Sequence, residues 1–200
     1  MLHVFEQFLI DRDGISAEEF AALSSLLSVR NVERGAILLE QGGICRHTFF
    51  VAKGLLRSFT VDENGREHII QFAPENWLVA DRSSLFLGSG SEFAIDAVEI
   101  STVIALDSRF TEKAAEISPQ FRKFNVAALH KHIRTLQHRI AMLLGADAET
   151  RYLEFIDTYP EIPLRVPQWM IASYLGITPE SLSRVRKELA RRNFRPMSAS

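Results

Sequence analysis

The residues of this sequence best suited to chemistry lie in one stretch near its end, VPQWMIASYLGITPESLSRVRKELARR (166–192). Its second half gathers short polar side chains and cations: Ser181, Ser183, Arg184, Arg186, Lys187, Arg191 and Arg192. A guanidinium can bond both acceptors on a guanine edge, while further cations neutralise phosphates. That chemistry is recognition of a polyanion with a readable groove. No nucleophile–base pair, metal triad or phosphate-binding glycine loop accompanies it, so catalysis is not expected.

The spacing of the stretch indicates how these side chains are held. Met170, Ile171, Tyr174 and Leu175 fall on one face of a helix, which Gly176 can end in the left-handed conformation. Ile177 fills the turn, Thr178 can cap a second helix, and Pro179 suits its first turn. Leu182, Val185 and Leu189 then recur at three and four residues and face inward, leaving the polar and cationic set outside. This is a helix-turn-helix, whose second helix enters a major groove. Two packed helices with a solvated basic face account for the same pattern. Charge separates the two readings: residues 1–100 hold 8 Lys/Arg against 15 Asp/Glu, and residues 101–200 hold 15 against 10. The total of −2 therefore hides an acidic front and a basic back, which favours a nucleic-acid contact in the second half.

Composition bounds the rest. Hydrophobic residues make up 46% and charged residues 24%, ordinary for a globular chain of 200 residues. No apolar run approaches the roughly 20 residues of a membrane helix, and the acidic start MLHVFEQFLIDRDG does not resemble a signal peptide. A single cysteine, Cys45, allows no internal disulfide and cannot ligate an iron–sulfur cluster by itself. A cytoplasmic location and no membrane partner are expected.

Residues 16–27 read as an amphipathic helix with a Ser16–Glu19 capping box and Phe20, Leu23, Leu26 and Leu27 on one face. The preceding DRDG resembles part of a calcium loop, but that frame puts Leu9 and Phe20 at its first and last ligand positions, so calcium is rejected. Residues 29–107 alternate apolar and polar side chains between turns at Gly35, Gly42-Gly43, Gly54 and Asp62–Gly65, as in an antiparallel sandwich or barrel. The hairpin 55–61 with 67–72 is the clearest unit. Residues 118–145 form one long helix in which Val126, Leu129, Ile133, Leu136, Ile140 and Leu143 repeat at a heptad spacing. Such a stripe serves either a homodimer or packing on the chain's own barrel, and Phe121, Phe124 and Leu144 add apolar surface for both. A hinge at Gly145–Asp147, a helix over 148–159 and prolines at 160, 163 and 167 lead into the helix-turn-helix.

Strand barrel, long helix and helix-turn-helix in this order resemble the Crp/Fnr family of bacterial transcription regulators. The resemblance rests on LEQGG (39–43), FFVAKGLLRSF (49–59), DENGRE (62–67), RYLEFIDTYPEI (151–162) and VPQWMIASYLGITPESLSRVRKEL (166–189). It implies an α+β chain: an N-terminal antiparallel, jelly-roll-like β-roll over 1–117, a dimerisation helix over 118–146 and an all-α DNA-binding domain over 147–200. It further implies a homodimer on near-palindromic double-stranded DNA, with RNA polymerase as a possible further partner. The positions matching the family's base-reading residues are Glu180, Ser181 and Arg184, and Thr178, Ser183, Arg186, Lys187, Arg191 and Arg192 become phosphate contacts. Pro179 stands where some members carry a base-contacting arginine, so a different operator is expected. The family's β-hairpin wing is expected to be absent from NFRPMSAS (193–200), or reduced to a flexible tail.

The resemblance also points to a sensor pocket. Cyclic-nucleotide-binding members use a Gly-Glu pair opening a short helix and a later Arg-Ser-Ala triplet. Here Val79-Ala80 and Glu92-Phe93-Ala94 are read at those places. Exchanging the arginine for a carboxylate costs on the order of 3–5 kcal/mol against a phosphate diester, so cAMP binding is not expected and no other cofactor is assigned. Arg82 is the one nearby cation, and Trp77, Phe86 and Phe93 make the remaining pocket apolar. Haem or metal ligation by Cys45, His47, His68, His130, His132 or His138 is not expected. The competing reading is a small-molecule sensor that acts through a protein partner without touching DNA.

Overall fold

The computed structural model describes residues 1–13 and 15–193. In chain order the elements are α1 (Leu2–Asp13), α2 (Ala17–Leu23), a 3-10 turn (Ser24–Leu26), β1 (Leu27–Val32), β2 (Ile37–Leu39), β3 (Thr48–Lys53), β4 (Leu56–Val61), β5 (Glu67–Ala73), β6 (Leu78–Val79), α3 (Arg82–Leu87), β7 (Ala94–Ala97) and β8 (Ser101–Leu106). There follow α4 (Ser108–Ile117), α5 (Pro119–Gly145), α6 (Ala148–Thr158), α7 (Ile162–Arg165), α8 (Gln168–Leu175) and α9 (Pro179–Asn193). They form two compact units, residues 1–133 and residue 134 onward, which divide within α5. Among the described residues no helix is long and apolar enough to cross a membrane.

The first unit contains two four-stranded antiparallel sheets, β1-β8-β3-β6 and β2-β7-β4-β5. Alternation along β3 and β8 explains why the first sheet is buried on both faces. Phe49, Val51, Val103 and Ala105 join the core between the sheets, together with Leu56, Ala73, Val79, Ile95 and Ala97. The residues between them, Phe50, Ile104 and Leu106, point to a second core built with Phe5, Phe8, Phe20, Leu23, Phe110 and Phe121. Register keeps the two sets apart, since Phe49 pairs with Ala105 and Phe50 with Ile104. The second core is aromatic, with the Phe5 and Phe8 ring centroids 4.8 and 4.9 Å from that of Phe50.

Local chemistry sets the turns. Gly54 takes φ +95°, and a Cβ there would lie 2.3 Å from the Ser101 hydroxyl, which accepts the Leu55 amide at 3.1 Å. The β4–β5 hairpin turns through Asp62, whose carboxylate accepts the Asn64 and Arg66 amides. The capping box is present: the Ser16 hydroxyl accepts the Glu19 amide at 3.1 Å, and Glu19 accepts the Ser16 amide at 2.8 Å. Its helix is shorter than the sequence pattern suggests, because Leu27 already pairs with Leu106 in β1. Gly14 of the calcium-loop frame, the C-terminal wing and the tail at 194–200 lie outside the described residues.

Candidate functional site

The helix-turn-helix belongs to the second unit. Ile171, Ala172 and Leu175 are buried on α8, as is Leu182 on α9. Between the helices Gly176 adopts φ +66°, and the Ile177 amide donates back to the Ala172 carbonyl at 3.0 Å, closing the last turn of α8. Two arginines brace the same end. Arg151 of α6 donates to the Leu175 carbonyl at 2.7 Å, and Arg139 of α5 donates to the Tyr174 carbonyl at 3.1 Å while lying 3.9 Å above the Tyr174 ring. Phe155, Tyr159 and Tyr174 pack together with centroids 5.3–5.7 Å apart. The turn is therefore held by cations at the negative end of α8 and by an aromatic wedge, which fixes where α9 starts.

At the start of α9 the Thr178 hydroxyl accepts the Ser181 amide at 3.2 Å, the cap that the sequence suggests. Glu180 is exposed beside it. Its own backbone amide, then the Thr178 hydroxyl, hold its carboxyl below the ordinary range, so it stays an acceptor at neutral pH. Arg184 donates to the Ser181 hydroxyl at 3.1 Å, which joins two of the three candidate base readers in the first two turns. Ser183, Arg184 and Lys187 are exposed and Arg186 is half-buried. Among the described residues none of these three cations is in an ion pair. The far end of α9 differs. Arg192 pairs with Glu149 at 2.6 Å and with Glu188 at 3.5 Å, and Arg191 lies 3.9 Å from Glu188. The first links α9 to the capped start of α6. Sequence reading missed Arg139, Arg151 and Glu149 as positioning residues, because what they brace lies at least 24 residues away.

The sensor region requires a correction. Val79 does not open the short helix; it ends β6, paired with Phe49. Helix α3 begins after Asp81, which caps it. One carboxylate oxygen of Asp81 accepts the Ser84 amide at 3.0 Å and the other accepts the Ser91 hydroxyl at 2.8 Å. The Ser84 hydroxyl accepts the Cys45 amide at 2.9 Å and donates to the Ser89 carbonyl at 2.5 Å. Asp81, Ser84 and Ser91 are all at most 4% exposed. One amide at the helix start, that of Ser84, is thus taken by the chain's own carboxylate.

The five residues read as a pocket differ in their surroundings. Phe86 is 89% exposed on α3, Glu92 is exposed, and Trp77 and Phe93 pack on the core between the sheets. Arg82 instead reaches Asn125 of α5, to which it donates at 3.2 Å, with burial lowering its pKa. The buried arginine of the roll, Arg57, is engaged by Asp96 and Glu67. Burial pushes the Cys45 thiol up, and its sulfur contacts the His47 carbonyl at 3.3 Å. His68 bonds Asp62 and His138 bonds Glu154. Among the described residues no three His, Cys, Asp or Glu side chains form a metal-holding group.

On α5 the six heptad residues, Val126, Leu129, Ile133, Leu136, Ile140 and Leu143, are 40–58% exposed, and Leu144 is 84% exposed. Within the first unit Phe121 is buried, whereas Val126, Leu129 and Ile133 stay at least 40% exposed.

Comparison with known proteins agrees with this geometry. Residues 29–117 match the cyclic nucleotide-binding domain family. The chain is 27% identical to the probable transcriptional regulator flp of Lacticaseibacillus casei, over 88% of this chain and 83% of that protein. It is 25% identical to the transcriptional activator protein FnrA of Stutzerimonas stutzeri, over 86% of this chain and 75% of that one. FixK2 from Bradyrhizobium japonicum shares the fold, with a TM-score of 0.73, 20% identity, and coverage of 87% of this chain and 89% of its own. Residues 29–117 thus carry a roll of the cyclic nucleotide-binding domain family, and with its helix-turn-helix the chain is similar to transcription regulators of the Crp/Fnr type over most of their length.

Proposed function

We propose that the protein is a cytoplasmic, homodimeric, sequence-specific reader of near-palindromic double-stranded DNA, with a sensor roll (1–117) that does not take cAMP, a dimerisation helix (118–146) and a DNA-binding domain (147–200). One observation carries the reading: the first turns of α9 present Glu180, Ser181 and Arg184, with Arg184, Arg186 and Lys187 outside any ion pair among the described residues. Arg184 suits a guanine edge and Glu180 a cytosine amino group. Thr178, Ser183, Arg186 and Lys187 suit phosphates, which set affinity and salt dependence. Arg191 and Arg192 would have to share their existing carboxylate partners to do the same. RNA polymerase is the further partner that transcription control calls for.

Selection of sites from a random duplex pool, with and without cAMP, tests this reading. A two-fold consensus should be enriched in both arms. Arg184→Ala should weaken binding to that consensus by about 10- to 100-fold and relax the preference at one position per half-site. A pool that yields no two-fold sequence, or an Arg184→Ala variant that binds as before, would sink it and favour a sensor acting through a protein partner.

The cAMP arm has its own expectation. With the Asp81 carboxylate capping the helix start, where it repels a phosphate, millimolar cAMP should leave the melting temperature and the DNA affinity unchanged. Enrichment that depends on cAMP would refute the capped-helix reading alone.

A further inference from the structure

One cleft of the first unit is used by neither the DNA-reading helix nor the capped start of α3. It holds about 230 Å³ and opens onto the core between the two sheets, with Arg30 of β1, Arg46 and His47 at its rim and Leu39, Ile44 and Phe49 among its apolar walls. It has no Asp or Glu in its lining. Arg30 is half-buried, and neither Arg30 nor Arg46 forms an ion pair among the described residues. Arg30 instead lies 3.3 Å from Nε2 of His47, with its guanidinium 6.0 Å from the centre of the Phe49 ring.

That contact is an unusual use of a guanidinium. Arginine only donates, so Nε2 of His47 must accept and the ring must be neutral with its proton on Nδ1. A donor fork matched to a carboxylate is thus held by a single neutral nitrogen. Burial, then Arg30 and Arg46, lower the pKa of His47, while Asp107 opposes them from a pairing with Arg109. The cleft therefore carries uncompensated positive charge over an apolar floor.

We propose that this cleft binds a small organic carboxylate, its head between Arg30 and Arg46 and its hydrocarbon body against Leu38 and Ile44. The volume lies below the roughly 300–1,000 Å³ of drug-sized pockets, so the ligand is small. The carboxylate displaces His47 from the Arg30 fork and accepts bidentately from it. Apolar walls favour an acid with a compact aromatic or aliphatic body over a free inorganic anion.

The test uses the whole chain and three probes: benzoate, inorganic phosphate and benzyl alcohol, which supply head with body, head alone and body alone. Benzoate should raise the melting temperature saturably, phosphate less and benzyl alcohol not at all. Arg46→Gln, at an exposed position, should fold as the parent does and lose at least tenfold in benzoate affinity; Arg30→Gln should lose more. By NMR, saturating benzoate should move the His47 titration midpoint upward, because the bound anion offsets the two guanidiniums. A benzoate response equal to that of benzyl alcohol, an unchanged response in Arg46→Gln, or a His47 midpoint that does not move would overturn the assignment. All readouts are taken without DNA, so failure here leaves the DNA-reading proposal standing.

Discussion

Leu136→Asp should convert the protein to a monomer and weaken its binding to a two-fold duplex by about 10²- to 10⁴-fold, while a single half-site is bound as before. Leu136 sits in the α5 stripe and is 42% exposed in one chain, so the change leaves the protomer's own core untouched. In a two-fold pairing each copy loses a leucine contact worth about 1.5–3 kcal/mol, and two carboxylates meet in an apolar seam. The DNA loss follows because the second half-site is no longer bound at the effective concentration that a linked copy provides. Sedimentation and anisotropy read the two effects separately. A dimer that survives Leu136→Asp, or a parent protein that is already a monomer, removes the seam from the mechanism.

Salt gives a second signature of the same seam. Between Pro119 and Gly145 there is no Asp or Glu, while Arg122, Lys123, Lys131, Arg134 and Arg139 are cationic. Side-by-side copies of such a helix repel, and added salt screens the repulsion. Dimerisation should therefore tighten as salt rises while DNA affinity falls through counterion release. Most surface-paired dimers held by opposite charges would show both falling together.

What the sequence makes legible is what local chemistry decides. The Ser16–Glu19 box, the Thr178 cap and the left-handed Gly176 each satisfy their own helix end, so the residues alone locate them. The β4–β5 hairpin is legible because Asp62 and Gly65 mark its turn. Two helices escape that reading although their signals exist. In α1, Phe5, Phe8 and Leu9 share a face but no cap precedes them, and in α4 the Asp107 cap introduces only Phe110 and Ala114 as buried residues. The pattern Asp-Arg-Ser-Ser at 81–84 likewise marks the start of α3 by its cap, and it outweighs a register taken from family likeness. Arg139 and Arg151 are different in kind. Nothing near them in the chain tells that their guanidiniums end on the carbonyls of Tyr174 and Leu175, because only tertiary packing brings those groups together.

Arg57→Leu should be the most damaging single change in the sensor roll, costing about 3–5 kcal/mol and lowering the melting temperature of that unit by about 10–15 °C. Arg57 is 7% exposed in the middle of the second sheet. It donates through Nε and Nη2 to both oxygens of Asp96 at 2.8 and 2.9 Å, through Nη1 to Glu67 at 2.6 Å, and lies 4.3 Å over the Phe59 ring. Asp96 is its direct cross-strand partner in β7, and Glu67 lies on β5, so one guanidinium ties three strands. Burial alone disfavours its charge, but the carboxylates of Asp96 and Glu67 more than offset this and hold its pKa above the ordinary value. Removing the cation leaves Asp96, 8% exposed, as a buried charge without its bidentate partner. That orphaned carboxylate carries most of the cost, so Asp96→Leu added to Arg57→Leu should restore more than half of the lost stability. Thermal and urea unfolding of the two single variants and the double variant give the coupling directly. Additive losses would mean that the triad is held together by its surroundings and contributes little of its own. A strong coupling would identify it as the clamp that keeps β4, β5 and β7 in register.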